Sequence, residues 1–287
     1  MSYKSLPVNR SALELTALVS FWMIALTVSG LFLWLVGDVV IHGLSGVSWE
    51  FLTSEPKSFG TAGGIFPMIV STLLILLIAI ATAVPLSIAS ALYLSEFSRG
   101  SWASILIERG LIILAAVPSV VFGLFGFALF CDMLGMGYSI LSGGLTLACM
   151  ILPIMIRSLQ AGLEAVPDDY RRAAAALAMS KTRTVVSILL PSAAPGLIVG
   201  LVLGIGRVLA ETAALLFTSG YVDRTPESLF DSGRSLSIHI YELSMNVSGG
   251  ESNAYSTAVV LLLLLLGINS FAIAVADRLL KRKVKIV

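Results

Sequence analysis

Arg207 stands eleven residues from either end of the apolar stretch 196–218, and Glu211 follows it four positions later. Ionisable side chains at mid-depth in a bilayer cost roughly 2.5–3.5 kcal/mol each on insertion scales, so their placement calls for a reason. In a continuous helix, positions i and i+4 share a face. The two charges can then neutralise each other while lining an interior path, or act only as a structural ion pair that locks two helices. Arginine suits the first role, because its planar fork binds phosphate-like oxyanions and keeps its charge. A neighbouring carboxylate would stop so strong a cation from trapping the anion. Thr212 adds a hydroxyl beside the pair, for the path or for a carbonyl of the next turn. Arg157 closes another apolar run, either as an interfacial anchor that snorkels to the membrane surface or as the inner end of the same anion route.

A second group of residues is polar where its surroundings are not. The block 166–191, VPDDYRRAAAALAMSKTRTVVSILLP, lies between long apolar runs. Pro167 suits the first turn of a helix, and Asp168 and Asp169 complement its dipole. The alanines 173–176 supply helix propensity. Ser180 is positioned to cap a second helix from Lys181 to Leu190, which Pro191 closes. Two short helices joined near Ala178 would project a basic surface of small side chains out of the bilayer. One reading makes this a handle for another protein; the other makes it a surface-lying amphipathic loop with no partner.

The elements that must carry these residues are set by hydropathy. The chain has 287 residues, 57% apolar and 12% charged; soluble domains carry about 25% charge, so a single soluble domain is excluded. Six apolar runs, near 14–37, 65–94, 110–131, 138–158, 192–219 and 255–276, approach the length needed to cross a bilayer. The expectation is an all-α membrane protein with six transmembrane helices and both termini in the cytoplasm. The first run is too long for a signal-peptide core and is read as a retained span. Basic residues support the orientation: 14 fall inside (Lys4, Arg10, Arg99, Arg109, Arg157, Arg171, Arg172, Lys181, Arg183, Arg278, Lys281, Arg282, Lys283, Lys285) and 3 outside (Lys57, Arg224, Arg234). Prolines 85, 118 and 153 are expected to bend their spans. The outer segment 38–64 reads as an irregular loop, and 220–254 as a loop with a short amphipathic helix on the outer surface, built on Leu229, Leu236, Ile240 and Leu243. Cys131 and Cys149 read as packed free thiols, and His42 and His239 have no ligand-spaced partner, so no metal site is expected.

The block's spacing resembles the coupling signature of importer permeases of the ATP-binding-cassette class, E-A-A-x3-G-x9-I-x-L-P. Ala173 and Ala174 match the paired alanines, Ile188 the isoleucine, and Leu190 with Pro191 the closing pair; Arg172 stands in place of Glu and Ala178 in place of Gly. Across 63–277 the chain is similar to phosphate importer permeases of the PstA type, most closely in GLVLGIGRVLAETAALLFTSG, where Arg207, Glu211, Thr212, Ala213 and 215–218 follow the family pattern. Ala210 there replaces Gly and Ala214 replaces Pro. The resemblance implies the type I importer permease fold in the bacterial cytoplasmic (inner) membrane, with an N-terminal span and loop (1–62), a permease domain (63–277) containing the coupling segment 159–191, and a basic tail (278–287). It implies a sister permease subunit, two copies of an ATPase that hold the ATP and Mg, and a periplasmic phosphate-binding protein. Asp169, Arg171, Arg172, Ala173, Ala174, Leu177, Ala178, Ile188 and Pro191 would then make the ATPase coupling surface, and Arg207, Glu211, Arg157 and Thr212 the substrate path.

The chain has no G-x4-G-K-[ST] loop, since Lys181-Thr182 lacks the preceding glycines, and no nucleophile–base arrangement. It is therefore expected to be a non-catalytic subunit without a cofactor of its own, with lipid and protein partners but no nucleic acid. Phosphonate, sulfate or molybdate are alternative cargoes, because Arg–Glu chemistry does not separate oxyanions. An ion-gradient transporter would show broken helices in two repeated halves, and it leaves 166–191 unexplained. A membrane enzyme would need a metal or nucleophile constellation.

Overall fold

Long runs of apolar residues without turn formers become long helices, and the breaks fall where proline or a polar cap interrupts the backbone ladder. A computed structural model describes residues 12–98 and 100–284. Helix α1 (Ala12–Gly43) leads through a 3-10 turn to α2 (Trp49–Thr53), capped by the Ser48 hydroxyl. A two-stranded antiparallel hairpin follows, β1 (Pro56–Lys57) and β2 (Ala62–Gly63), with Pro56 opposite Gly63. Helix α3 (Phe66–Leu92) ends in a π-helical turn, Tyr93–Phe97. Next come α4 (Trp102–Ala116), α5 (Ser119–Gly126) with a π-helical extension Phe127–Met133, and α6 (Ile140–Glu164). The polar block forms α7 (Asp168–Ala176), α8 (Lys181–Thr184), a π turn Val185–Leu189 and α9 (Leu190–Ser192). Then α10 (Ala194–Ala210), α11 (Ala213–Leu216), α12 (Leu236–Met245) and α13 (Glu251–Val284) complete the chain.

Four helices are long and apolar enough to cross a membrane, and up to six spans result if each of two bent pairs counts as one. The bends are sharper than simple kinks. Helices α4 and α5 meet at 106°, because Val117 is pushed to extended backbone (ψ 130) by the Pro118 ring and Pro118 opens the next helix. Pro85 and Pro153, by contrast, lie inside unbroken α3 and α6. The fifth apolar run is also not one straight helix. It bends by 61° near Ala193, and its helix ends at Ala210 rather than continuing to residue 219. Of the basic residues used to orient the chain, Lys4, Arg10, Arg99 and Lys285 lie outside the described residues.

Helix α6 is the central element, with two-thirds of its apolar window buried, whereas the corresponding window of α1 is entirely exposed. Ile75 and Ala79 of α3, Leu147, Ile151 and Met155 of α6, Val208 and Leu209 of α10 and Leu215 of α11 form the main core. A second cluster closes the end that carries α7, from Ala91, Leu94, Leu159, Leu163, Val185 and Leu189. A third, of Phe51, Ile65, Met68, Leu236 and Val260, closes the opposite, hairpin end.

The hairpin end departs from the loops expected there. Residues 38–64 continue α1, then fold into α2 and the hairpin, and Asn253 Nδ2 donates to the Gly60 carbonyl at 2.8 Å to tie the hairpin to α13. Helix α12 does not lie on the outer surface. Leu236, Ile238 and Leu243 are buried, the Leu236 amide donates to Thr72 Oγ1 on α3, and Leu229 stays outside the helix and exposed. His239 of α12, which is not among the span helices, is fully buried with both ring nitrogens unpartnered among the described residues. Burial, then the charge of Arg234, holds its pKa down at about 3. The unfolded chain takes up a proton near pH 6.5 that the folded chain refuses. Stability is therefore complete above about pH 6.5 and falls by about 1.4 kcal/mol per pH unit as the pH drops towards 3. Thermal unfolding in detergent between pH 7 and pH 5 should show this slope, and His239→Leu should remove most of it; equal slopes in both proteins would refute the assignment.

Candidate functional site

The polar block is built by ordinary helix signals. Pro167 precedes α7 at its N-cap position, and Asp168 and Asp169 occupy its first turn. The helix ends when the Ala178 amide donates to Ala175 O and the Met179 amide to Ala174 O, both at 3.0 Å, with Ala178 in the left-handed region at φ 51°. The Ser180 hydroxyl accepts from the Arg183 amide at 3.4 Å and starts α8. The expected single helix to Leu190 is divided by the π turn, and Pro191 sits in the first turn of α9 rather than terminating the block.

The proposed coupling residues separate into two sets. Asp169, Arg172, Ala173, Leu177 and Ala178 are exposed, with Leu177 at 75%. Arg172 pairs with Asp169, at 3.8 Å and almost fully in solvent, a contact worth little. Ala174 is buried at 1%, and Ile188 and Pro191 are half-buried against their own chain. Arg171 points inward: its Nη2 reaches Glu96 Oε1 at 2.6 Å and Leu163 O at 3.2 Å, and its Nη1 reaches Val166 O and Asp168 Oδ1. The hydrogen bond to Glu96 holds the guanidinium proton more tightly than usual. Tyr170, half-exposed on the same helix, was given no role by spacing alone.

The Arg207–Glu211 pair is not an ion pair. Helix α10 stops at Ala210, and Glu211 adopts extended backbone (ψ 128), so the i and i+4 positions no longer share a face. The Glu211 carboxylate instead accepts the Ala214 amide at 3.2 Å and starts α11, while its carbonyl accepts the Ser237 hydroxyl at 2.6 Å. Glu211 is nearly buried, and Thr212 is half-buried at the break. Arg207, in the last turn of α10, is exposed, and its guanidinium has no ion-pair partner among the described residues. Arg157 is half-buried at the other end of the bundle, donating to Glu108 O at 3.0 Å and to Gln160 Oε1 at 3.5 Å. The four expected path residues are thus not one cluster. Cys131 and Cys149 are free, and the Cys131 thiol donates to Thr218 O at 3.7 Å.

Residues 83–285, which include every one of these positions, match the family of binding-protein-dependent transport system inner membrane components. The chain belongs to this family. The permease is 30% identical over 249 residues to the probable ABC transporter permease protein YqgI of Bacillus subtilis, covering 82% of this chain and 85% of that one. It is 35% identical over 249 residues to the phosphate transport system permease protein PstA of Mycobacterium leprae, covering 84% and 81%. Its fold is shared with a chain of a bacterial ABC transporter involved in alginate import (TM-score 0.65, 12% identity, 91% of this chain and 95% of that one). A chain of the MetNI methionine ABC transporter in an inward-facing conformation is also similar (TM-score 0.57, 14% identity, 76% and 96%). The permease is accordingly a multi-pass subunit of an ABC importer in the inner membrane, of a family that works with a binding protein.

In the permease, the left-handed backbone at Ala178 explains why glycine occupies that position in the signature. A side chain costs about 1–2 kcal/mol there. Ala178→Gly is expected to raise stability by about 1 kcal/mol, read as a higher midpoint of thermal unfolding. An unchanged or lower midpoint would show that the turn is not strained.

Proposed function

We propose that this permease carries inorganic phosphate into the cytoplasm, paired with a sister permease, driven by two copies of an ABC ATPase and fed by a phosphate-binding protein outside. ATP and Mg belong to the ATPase. In this reading the chain crosses the membrane six times, with both termini and the 168–192 block on the cytoplasmic side, as the basic residues favour.

The observation that carries this reading is the exposed guanidinium of Arg207, without an ion-pair partner among the described residues, on an otherwise apolar helix. Facing lipid it would cost roughly 2.5–3.5 kcal/mol; facing a polar path between two permeases it becomes a fork for a tetrahedral oxyanion. Relatives named for phosphate transport support that cargo. The exposed row Asp169, Arg172, Ala173 and Leu177 is the face offered to the ATPase.

Uptake of labelled phosphate by the reconstituted complex tests the cargo, with sulfate and methylphosphonate as competitors. Competition by unlabelled phosphate alone supports the reading. Inhibition by sulfate or methylphosphonate at equal concentration would assign another oxyanion. Cross-linking from Leu177→Cys tests the ATPase face; Ala174, turned inward, is the wrong position for the probe. Absence of an ATPase adduct from an assembled complex would reject that face.

A further inference from the structure

Helix α3 has no direct chain connection to the 168–192 block, which joins α6 through 165–167 and α10 through Ala193. Yet the π turn at its end touches both legs of that block through adjacent residues. Glu96 takes the Arg171 guanidinium in a two-point contact, Nη2–Oε1 at 2.6 Å and Nε–Oε2 at 3.4 Å. Phe97 lies under the Lys181 ammonium, 4.9 Å from the ring centre. The first contact holds α7 and the second holds α8. A π turn widens the helix by one residue, and such turns are frequent at functional sites; here it marks the place where two neighbouring side chains face two different helices.

The arginine also reaches α6. Its Nη2 and Nη1 donate to the carbonyls of Leu163, in the last turn of α6, and Val166, just beyond it. One guanidinium therefore joins α7 to the ends of both α3 and α6. It does so across open space: a cavity of about 290 Å3 lies between these elements, lined among others by Glu96, Glu108, Gln160, Glu164, Asp168 and Arg171. Close-packed side chains transmit displacement by contact. The ends of α3 and α6 pack on each other through Ala91, Leu94, Leu159 and Leu163, whereas Ala174 is the one buried residue of α7, so the polar links carry between α7 and these ends what packing does not. The Glu96 side chain is only 9% exposed and that of Arg171 23%, so the pair is held in one geometry rather than screened at the surface.

We infer that the π turn Tyr93–Phe97 is the receiving end of the coupling device, and that Arg171 and Glu96 are positioning residues of import that carry a displacement of α7 to the packed ends of α3 and α6. Arg171 is then not an ATPase contact. This rests on the docking of an ATPase at the exposed face of α7, which has its own readout below.

The test uses the full complex, with binding protein, in proteoliposomes, and measures ATPase co-purification, ATP hydrolysis and labelled phosphate uptake for each variant. Arg171→Gln and Glu96→Gln should each retain the ATPase within about twofold and continue hydrolysis. Their uptake should fall at least fivefold, so that more ATP is spent per phosphate moved. The double variant should be no worse than either single, because one contact is lost in all three. Arg171→Lys, which keeps charge but not the fork, should fall between. Phe97→Leu should raise the ATP-to-phosphate ratio about twofold.

An unchanged ratio in Glu96→Gln and Phe97→Leu would overturn the relay. So would effects that multiply in the double variant, or loss of the ATPase in Arg171→Gln but not in Glu96→Gln, which would return Arg171 to the groove. If Arg171→Gln does not accumulate in the membrane, Glu96→Gln and Phe97→Leu decide the matter by the same ratio. Leu177→Glu reports on docking separately: retention of the ATPase there would reject the docking face, whatever the ratios of the other variants.

Discussion

Arg207→Gln is expected to reduce uptake of labelled phosphate, at concentrations below saturation, by about 10–100-fold while the complex assembles and retains its ATPase. A hydrogen bond to a charged group contributes about 1.5–3 kcal/mol, and each 1.4 kcal/mol is a factor of ten. Glutamine keeps much of the length and a hydrogen-bonding end but removes the charge and the fork. Because Arg207 has no ion-pair partner among the described residues, its loss strands no carboxylate. Glu211 already has the Ala214 amide, so the fold should be nearly indifferent to the change. The two residues therefore give different phenotypes. Glu211→Gln weakens the start of α11, where the acceptor is the carboxylate itself, and should act on stability before transport. Undiminished uptake by an assembled Arg207→Gln complex would remove Arg207 from the path and leave it as an interfacial charge.

Much of this was legible in residues alone. Four of the six apolar runs appear as long helices and the other two fall within bent or broken segments, and the small-residue basic block forms short helices where propensity and the Ser180 cap place them. The break after Ala210 was not legible. Nothing in AETAALL interrupts an apolar helical pattern, and it is tertiary partners, Ser237 for the Glu211 carbonyl and Ala214 for its carboxylate, that make the break tolerable. Position 210 carries alanine where the resembled pattern has glycine, so composition pointed away from the break. The inward direction of Arg171 was hidden for a related reason. Two adjacent arginines on a helix look equivalent in sequence, but consecutive positions differ by 100° in direction, so one faces solvent and the other faces Glu96, 75 residues earlier. The glutamate's charge was visible as part of a membrane-edge mixture; its partner was not. At α12, helical spacing identified the helix but not its environment, because an amphipathic segment can rest on a surface or fill a gap beside α3 and α13 with the same pattern.

The crossing of α6 and α10 should be the least tolerant place in the bundle, and two alanine substitutions on one helix can show it. A Cβ at Gly196 would stand 2.5 Å from Ser158 O, 2.8 Å from Gly162 Cα and 3.0 Å from Gly162 N, all backbone atoms. Backbone of a packed helix cannot rotate aside as a side chain can, so the two helices must separate. Overpacking commonly costs about 1–3 kcal/mol, and with no flexible neighbour to yield, Gly196→Ala is expected at about 3 kcal/mol or more. Small residues at such crossings let helices approach closely where lipid offers no hydrophobic driving force between them. Gly204, two turns further along α10, makes the comparison. Its added Cβ would meet Ile151 Cδ1 at 3.5 Å and Met155 Cγ at 3.7 Å, ordinary contact with flexible side chains. There the gain in helix propensity, about 0.5–1 kcal/mol, is uncompensated by any clash, and Gly204→Ala should be neutral or slightly stabilising. Both variants face the same detergent, the same partners and the same helix, so the difference in their thermal unfolding midpoints isolates the crossing. Equal midpoints would mean that α6 and α10 are not in backbone contact at Gly162 and Gly196. Because α10 carries Arg207 in its last turn and α6 ends at the carbonyls that Arg171 holds, separating the two helices should also uncouple the proposed path from the α7 face.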